Sequence, residues 1–176
     1  MTVIIGLAHQ GKVYMAGDRA MSDDTNIDSM LQPKVKRNGS LLIGYANNLG
    51  TGQLAQMIQF PEPPTSGIEV YLRTDFVRTL KDAYEYYSIG VEIHDAEKAS
   101  ADLLVGVHGH LFEMSTTDWS VAEYGQAAIG SGMGYALGSL YSTRDWDNPK
   151  KRLREAVQAA VRYTPSCQSP VDVLVL

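Results

Sequence analysis

Cysteine is the scarcest residue type in this 176-residue chain, which contains only Cys167. A single cysteine excludes an internal disulfide and fits a reducing compartment. Long hydrophobic runs are also missing, since no apolar stretch approaches the roughly 20 residues that a membrane-spanning helix needs. The N-terminus has neither the charged start nor the long apolar stretch of a secretion signal. We therefore expect a soluble, cytoplasmic protein with no membrane partner.

Positive charge is also in short supply, with 15 Lys and Arg against 20 Asp and Glu and a net charge of −5. This balance argues against a nucleic acid as the partner. The chain has four histidines, and their spacing does not fit a zinc site. They are His9, His94, His108 and His110. We therefore expect no bound metal and no cofactor.

Repeats, linkers and low-complexity segments are lacking, and the length suits one domain over residues 1–176. Several short segments are rich in β-branched residues and bounded by turn residues, which predicts strands. They cover residues 2–8, 12–18, 31–47, 101–116, 120–132 and 171–176, and we expect the last strand to be buried. Asn38-Gly39 suits a type I′ turn within the 31–47 hairpin. A second hairpin is predicted to turn near His108-Gly109.

Between these strands, apolar residues recur every three or four positions, which predicts amphipathic helices. They cover residues 51–60, 69–87, 134–142 and 148–163. Three prolines within 61–67 separate the first two helices, and Pro149 suits the first turn of the last. The element order favours an α+β fold in which two antiparallel sheets pack face to face and helices cover both outer faces. We therefore expect a four-layer αββα sandwich.

Four features carry candidate chemistry: Thr2, Asp18, Lys34 and the Gly-Ser-Gly at 130–132. If Met1 is removed, Thr2 becomes N-terminal and holds a nucleophilic hydroxyl and a basic α-amine in one residue. An α-amine has an ordinary pKa of about 7.7–8.0, and a neighbouring ammonium such as Lys34 lowers that pKa. Asp18 would keep Lys34 charged and in place. Antiparallel hairpins bring the ends of successive strands together, where these three residues fall.

Each of these residues also has a purely structural interpretation. Strand ends often carry Asp and Lys, "PKVKR" reads as an edge strand protected by lysines, and a lone Gly-Ser-Gly is a weak signal. We interpret Cys167 as a packing residue, the "KKRLR" of 150–154 as a solvated helix face, and the tyrosines of 82–88 as core and subunit contacts. The joint pattern therefore carries the case for chemistry.

That joint pattern resembles a known family, the N-terminal nucleophile hydrolases of the proteasome β-subunit and bacterial HslV type. The similar stretches are "TVIIGLAHQGKVYMAGDRA", "PKVKR", "LLIGYANN", "AAIGSGMGYALGSLYS" and "PVDVLVL". They span nearly the whole chain in the family's order. Thr2, Asp18 and Lys34 reproduce the family's intervals between nucleophile, aspartate and lysine without a gap.

The resemblance implies hydrolysis of peptide bonds inside a ring-shaped chamber. Thr2 would be the nucleophile, Lys34 would tune its amine, Asp18 would orient Lys34, and Ser131 would hydrogen-bond the terminus. Arg19, Gly130 and Gly132 are expected to support this site. The implied partners are a peptide or unfolded protein as substrate, further copies of the chain in a ring or double ring, and an ATPase unfoldase. No metal is required.

The chain departs from the family pattern in three places. Asn47 and Asn48 stand where the family often has glycine, in the segment that supplies the backbone N–H for the oxyanion. Thr164 and Cys167 stand where proteasome β-subunits carry an aspartate and a serine. An uncleaved Met1 would mask both the base and the nucleophile. The first departure narrows the pocket, and the third decides whether the chain is active.

Two other functions remain open at the level of sequence. One is a non-catalytic ring subunit on the same fold, like the α-type proteasome subunits, although these carry an extra N-terminal helix that this chain lacks. The other is an amidohydrolase that acts on a small substrate with the same N-terminal nucleophile. A binding module with no enzymatic origin would leave the Thr2, Asp18 and Lys34 intervals unexplained.

Overall fold

The computed structural model describes residues 2–22, 25–87 and 100–176, so Met1 and His94 lie outside the described residues. The strands are β1 (Ile4–His9), β2 (Lys12–Gly17), β3 (Ala20–Ser22), β4 (Ile27–Ser29), β5 (Val35–Asn38), β6 (Leu41–Asn47), β7 (Ala101–Val107), β8 (His110–Ser115), β9 (Val121–Tyr124), β10 (Gln126–Ile129) and β11 (Asp172–Val175). The helices are α1 (Leu49–Ala55), α2 (Ile68–Tyr71), a π-helical segment (Leu72–Phe76), α3 (Val77–Tyr86), α4 (Met133–Ser142) and α5 (Pro149–Tyr163). None of the helices in these ranges is long and apolar enough to cross a membrane.

The first sheet has the strand order β10-β1-β2-β11 and is antiparallel throughout. Its central hairpin, β1–β2, turns at Gln10 and Gly11, whose φ angles of 50° and 70° fit a type I′ turn. The hairpin register places Ile4 opposite Gly17. The N-terminal end of β1 therefore lies beside the end of β2, where Asp18 follows.

The second sheet has the order β5-β6-β7-β8-β9 and is also antiparallel. Its β7–β8 hairpin turns at His108 and Gly109, as predicted. The type I′ turn predicted at Asn38-Gly39 is wrong by one residue. Asn38 pairs with Leu41, so the turn residues are Gly39 and Ser40, and only Gly39 has a positive φ, 57°.

The two sheets pack face to face and form the middle layers of the fold. The residues shared between them are Ile4, Val13, Met15, Val35, Leu42, Ala46, Leu104, Leu111, Ala127 and Ile129. Glycines permit this close packing, because a Cβ on Gly17 would lie 2.5 Å from Cδ1 of Ile4 and a Cβ on Gly44 would lie 2.6 Å from its Cγ2. Ile4 thus fills a gap formed by one glycine from each sheet.

Helices cover the outer faces, which confirms the predicted four-layer αββα sandwich. The helices α1 to α3 pack on the second sheet, and α4 and α5 pack on the first. The predicted helix 51–60 begins earlier, at Leu49, and ends earlier, at Ala55. The predicted helix 69–87 corresponds to the run from Ile68 to Tyr86, which is π-helical in its middle.

Three further expectations need correction. The last strand is only half-buried, because β11 is an edge strand that pairs with β2 alone in the described residues. The 150–154 segment is not wholly solvated, since Leu153 and Arg152 are buried and the Arg152 guanidinium donates to the Leu140 carbonyl. The β3–β4 hairpin was not predicted at all. Its strands have three residues each, too few for a clear alternation.

Candidate active site

Thr2, Asp18 and Lys34 meet at one end of the sandwich, as the sequence predicts. Thr2 lies just before β1, Asp18 just after β2 and Lys34 just before β5. The first two are adjacent because β1 and β2 form a hairpin, and Lys34 joins them because the second sheet packs on the first. All three are buried, with exposed fractions of 2%, 0% and 4%.

The three side chains form a closed hydrogen-bonded cluster. The Thr2 hydroxyl donates a short hydrogen bond to Oδ1 of Asp18. Nζ of Lys34 donates to Oγ1 of Thr2 at 2.5 Å and to Oδ1 of Asp18 at 3.2 Å. An ammonium is therefore in direct contact with the candidate nucleophile, where it can stabilise a developing alkoxide.

Backbone amides fix the Asp18 carboxylate from three directions. Oδ1 accepts the N–H of Val3 at 3.1 Å, while Oδ2 accepts the N–H of Ala20 at 3.2 Å and of Gln168 at 3.1 Å. A carboxylate that accepts several backbone N–H bonds is held in one orientation. Asp18 is therefore a rigid anchor for Lys34.

Burial dominates the electrostatics of Lys34. Loss of hydration lowers the pKa of its ammonium from the ordinary 10.5, and the charge and hydrogen bond of Asp18 oppose that shift. The backbone at this point is also fixed, because the Gln56 amide donates to the carbonyls of Lys34 at 2.9 Å and of Ile43 at 2.8 Å. Sequence reasoning missed Gln56, which it placed inside a longer helix.

The Gly-Ser-Gly segment holds the backbone of Thr2. The Gly132 N–H and the Ser131 hydroxyl donate to the Thr2 carbonyl at 3.2 and 3.3 Å. Gly130 has a φ of 88°, and a Cβ there would lie 2.4 Å from the same carbonyl oxygen. The predicted residues 130–132 therefore position Thr2 from the side opposite Asp18.

Ser166 joins this segment and was missed from the sequence. Its hydroxyl lies 2.9 Å from that of Ser131, in the loop where Thr164 and Cys167 depart from the family pattern. Burial raises the pKa of the nearby Cys167 thiol to about 11. Cys167 is therefore a protonated packing residue beside the site.

Arg19 acts at a distance from Thr2. Its guanidinium forms a bidentate ion pair with Asp172, with both N–O distances at 2.7 Å. The backbone N–H of Arg19 donates to the Gln168 carbonyl at 3.2 Å. These contacts connect the end of β2 to β11 and to the loop that contains Gln168, whose N–H donates to Asp18. Arg19 thus contacts the backbone next to the site, at the Gln168 carbonyl.

A pocket opens beside Thr2 and Lys34. Its wall includes Met21, Met30, Tyr45, Ala46, Asn47 and Leu49. The Tyr45 N–H donates to the Lys34 carbonyl at 3.3 Å, so this edge of β6 faces Lys34. Asn47 lies two residues further along the same strand and lines the pocket.

Asn48, the other expected backbone donor, has different partners. Its N–H donates to the Ser100 carbonyl at 3.3 Å, and its side chain accepts the Thr51 N–H at 2.9 Å and so caps α1. Of the two asparagines, only Asn47 lines the pocket. The expectation that Asn48 donates to the oxyanion is therefore corrected.

Comparisons with known proteins add the family context. No protein-family model and no curated protein sequence matches the chain. Among solved structures, BPH from Thiobacillus denitrificans in complex with epoxomicin is similar with a TM-score of 0.78 and 18% identity, covering 99% of this chain and 98% of that one. HslV from Trypanosoma brucei has a TM-score of 0.70 and 21% identity, covering 99% of both chains. Anbu from Yersinia bercovieri has a TM-score of 0.71 and 14% identity, covering 99% of this chain and 81% of that one.

The chain therefore has the fold of BPH, HslV and Anbu. In this fold, the cluster of Thr2, Asp18 and Lys34 lies where the two sheets and the Gly-Ser-Gly segment meet. Within residues 2–22, 25–87 and 100–176, no three His, Cys, Asp or Glu side chains come together as a metal site.

Proposed function

We propose that the protein is a threonine-type peptidase subunit that uses Thr2 as an N-terminal nucleophile after removal of Met1. The observation that carries this proposal is the contact of Thr2 Oγ1 with the Lys34 ammonium at 2.5 Å, inside a cluster anchored by the buried Asp18. Holding a lysine ammonium against a threonine hydroxyl in a buried site costs hydration, and such desolvated charges are typical of functional sites.

The first step is attack of Thr2 Oγ1 on the carbonyl carbon of a peptide bond. The hydroxyl proton passes to the α-amine of Thr2, directly or through a water, and the Lys34 ammonium stabilises the alkoxide character of Oγ1. The Lys34 charge also keeps the pKa of the α-amine below that of an isolated terminus. The amine is therefore neutral and ready to accept a proton near neutral pH.

The tetrahedral intermediate places its negative oxygen on the N–H of Asn47. Such a donor contributes a factor of about 100 to 1,000 to the rate, because it binds the oxyanion more strongly than the substrate carbonyl. Collapse breaks the C–N bond, the leaving amine takes the proton from the α-ammonium, and an ester remains on Thr2. Water then attacks the ester carbonyl and gives its proton to the α-amine. The acyl C–Oγ1 bond breaks, the carboxylic acid product leaves, and the proton passes from the amine to Oγ1.

The proposed substrate is a peptide or an unfolded protein, and the proposed assembly is a homo-oligomeric ring or double ring. A helical assembly of the Anbu complex from Pseudomonas aeruginosa has the same fold at a TM-score of 0.70 and 16% identity. Enclosure would keep folded proteins away from Thr2, so an ATPase that unfolds substrates is the expected partner.

Intact mass with an epoxyketone tests the nucleophile directly. An α′,β′-epoxyketone such as epoxomicin reacts with both the hydroxyl and the free α-amine of an N-terminal threonine. We expect loss of one methionine from the chain and then one adduct, which is absent in Thr2→Ala and present in Thr117→Ala, a change at an exposed threonine. A chain that keeps Met1 and takes up no epoxyketone would instead be a non-catalytic subunit.

A further inference from the structure

The hydrogen bond between Asn47 and Asp102 connects the pocket to a residue that the catalytic cluster does not use. Nδ2 of Asn47 donates to Oδ2 of Asp102 at 2.7 Å. Asn47 ends β6, and Asp102 is the second residue of the neighbouring β7. The contact lies on the side of Asn47 away from Lys34, so Asn47 stands between the ammonium and this carboxylate.

The backbone of Asn47 explains what this contact contributes. Its φ is 72°, in the left-handed region that a residue with a side chain enters only at a cost, although asparagine enters it more readily than most. Glycine adopts this conformation without such a cost. For asparagine, the hydrogen bond to Asp102 offsets part of the cost and favours the left-handed conformation.

The strand register shows that the left-handed conformation and the contact with Asp102 depend on each other. In a regular strand, Asn47 would share a face with its cross-strand partner Ala101 and with Tyr45, both of which pack against the helices. Asp102 pairs with Ala46, which faces the first sheet. The Asn47 amide reaches Asp102 only because its backbone has left the strand conformation.

We propose that Asp102 is a positioning residue that holds the Asn47 backbone in the left-handed conformation and thereby keeps its N–H directed at the oxyanion. This inference rests on the proposed function. Loss of the contact releases Asn47 toward the ordinary strand conformation and turns the peptide group that carries the donor. The effect falls on the transition state, since the substrate carbonyl needs the donor less than the oxyanion does.

A peptide β-lactone provides the assay, because its carbonyl is attacked by Thr2 and acylates it without any knowledge of the natural substrate. Adduct formation is followed by intact mass at several lactone concentrations. This separates the limiting rate of acylation from the half-saturating concentration. We expect Asp102→Ala to lower the limiting rate about tenfold and to leave the half-saturating concentration within about twofold.

Three further variants distinguish positioning from a general structural effect. Asp102→Asn keeps an oxygen acceptor for the Asn47 amide and is expected to retain most of the rate. Asp145→Ala, the same truncation at an exposed aspartate after α4, is expected to have no effect. In an Asn47→Gly background, Asp102→Ala is expected to lose its effect, because glycine has no side-chain amide for Asp102 to accept and adopts the positive φ without a cost.

The outcomes separate this inference from the proposed function. A wild-type chain that takes up no lactone overturns both. A wild-type chain that is acylated while Asp102→Ala reacts equally fast overturns the role of Asp102 alone. The same follows if Asp102→Ala slows acylation by the same factor in the wild-type and the Asn47→Gly backgrounds. The effect would then not depend on the Asn47 backbone.

Discussion

At the scale of single residues, the site depends on charges that have lost their hydration. Asp18 is fully buried, and its carboxylate is compensated by three backbone N–H groups, the Thr2 hydroxyl and the Lys34 ammonium. Breaking such a buried pair leaves an uncompensated charge, which typically costs about 3–5 kcal/mol of stability. Removal of either member would therefore disturb folding as well as chemistry.

The pKa of Lys34 gives a prediction about stability against pH. Because burial lowers this pKa in the folded state below the ordinary 10.5, the unfolded chain binds more protons between the lowered value and 10.5. The free energy of unfolding must therefore rise with pH across that window. We expect wild type to gain stability relative to Lys34→Met between the lowered pKa and 10.5.

Urea denaturation at a series of alkaline pH values measures this difference. Lys36→Met is the matched control, because Lys36 lies two residues further along the chain, in β5, and is exposed. Its stability difference from wild type should not change with pH. If the difference for Lys34→Met is equally flat, burial does not lower the pKa of Lys34.

At the scale of elements, the turn from β10 into α4 determines where Thr2 lies. Three consecutive residues meet the Thr2 carbonyl: Gly130 through its lack of a Cβ, Ser131 through its hydroxyl and Gly132 through its N–H. The loop from Thr164 to Gln168 closes the other side through Ser166 and the Gln168 N–H. Thr2 is thus positioned by loops, while the sheets form the framework behind it.

Gly130→Ala tests this positioning. The added Cβ would lie 2.4 Å from a backbone oxygen, at a φ of 88° that alanine rarely adopts. We expect a loss of about 2–4 kcal/mol in the free energy of unfolding and a large loss of epoxyketone labelling.

Gly138→Ala is the control for this change. Gly138 lies inside α4, and a Cβ there meets nothing within 4 Å. Alanine in place of glycine in a helix interior should raise stability by about 0.5–1 kcal/mol and leave labelling intact. Equal effects of the two substitutions would show that the Gly130 contact does not position Thr2.

At the scale of the whole molecule, large apolar side chains remain exposed on the outer helical layer of the first sheet. Tyr135 and Tyr163 stack at 5.6 Å between ring centres on α4 and at the end of α5, and Met133 and Tyr141 lie on the same helix pair. Exposed apolar groups of this size often mark contacts between subunits. The proposed ring assembly would give them partners.

Light scattering during size-exclusion chromatography tests assembly. We expect a species whose mass is a multiple of 19.3 kDa and does not fall on moderate dilution. Thr2→Ala should assemble equally well, because Thr2 is buried within the subunit. A protein that stays monomeric at micromolar concentration would contradict the enclosed chamber while leaving the chemistry of Thr2 open.

The sequence predicts those parts of the molecule that depend on local pattern. Thr2, Asp18 and Lys34 could be placed together because each lies at the end of a recognisable strand. Ser166 and the Gln168 N–H could not, since their loop has no periodicity. The Asn47–Asp102 bond depends on strand register and on a positive φ, and neither is encoded by a pattern along the chain.

Ile4 and its two glycine neighbours have a consequence for how this protein can vary during evolution. A side chain at position 17 would collide with Ile4, and one at position 44 would collide with both Ile4 and Met15, so these positions can change only together with smaller neighbouring side chains. In a deep mutational scan, Gly17 and Gly44 should therefore be as intolerant as Asp18, although they perform no chemistry. Intolerance to substitution at positions 17 and 44 would reflect how the two sheets pack. Only paired substitutions could distinguish it from intolerance caused by a catalytic role.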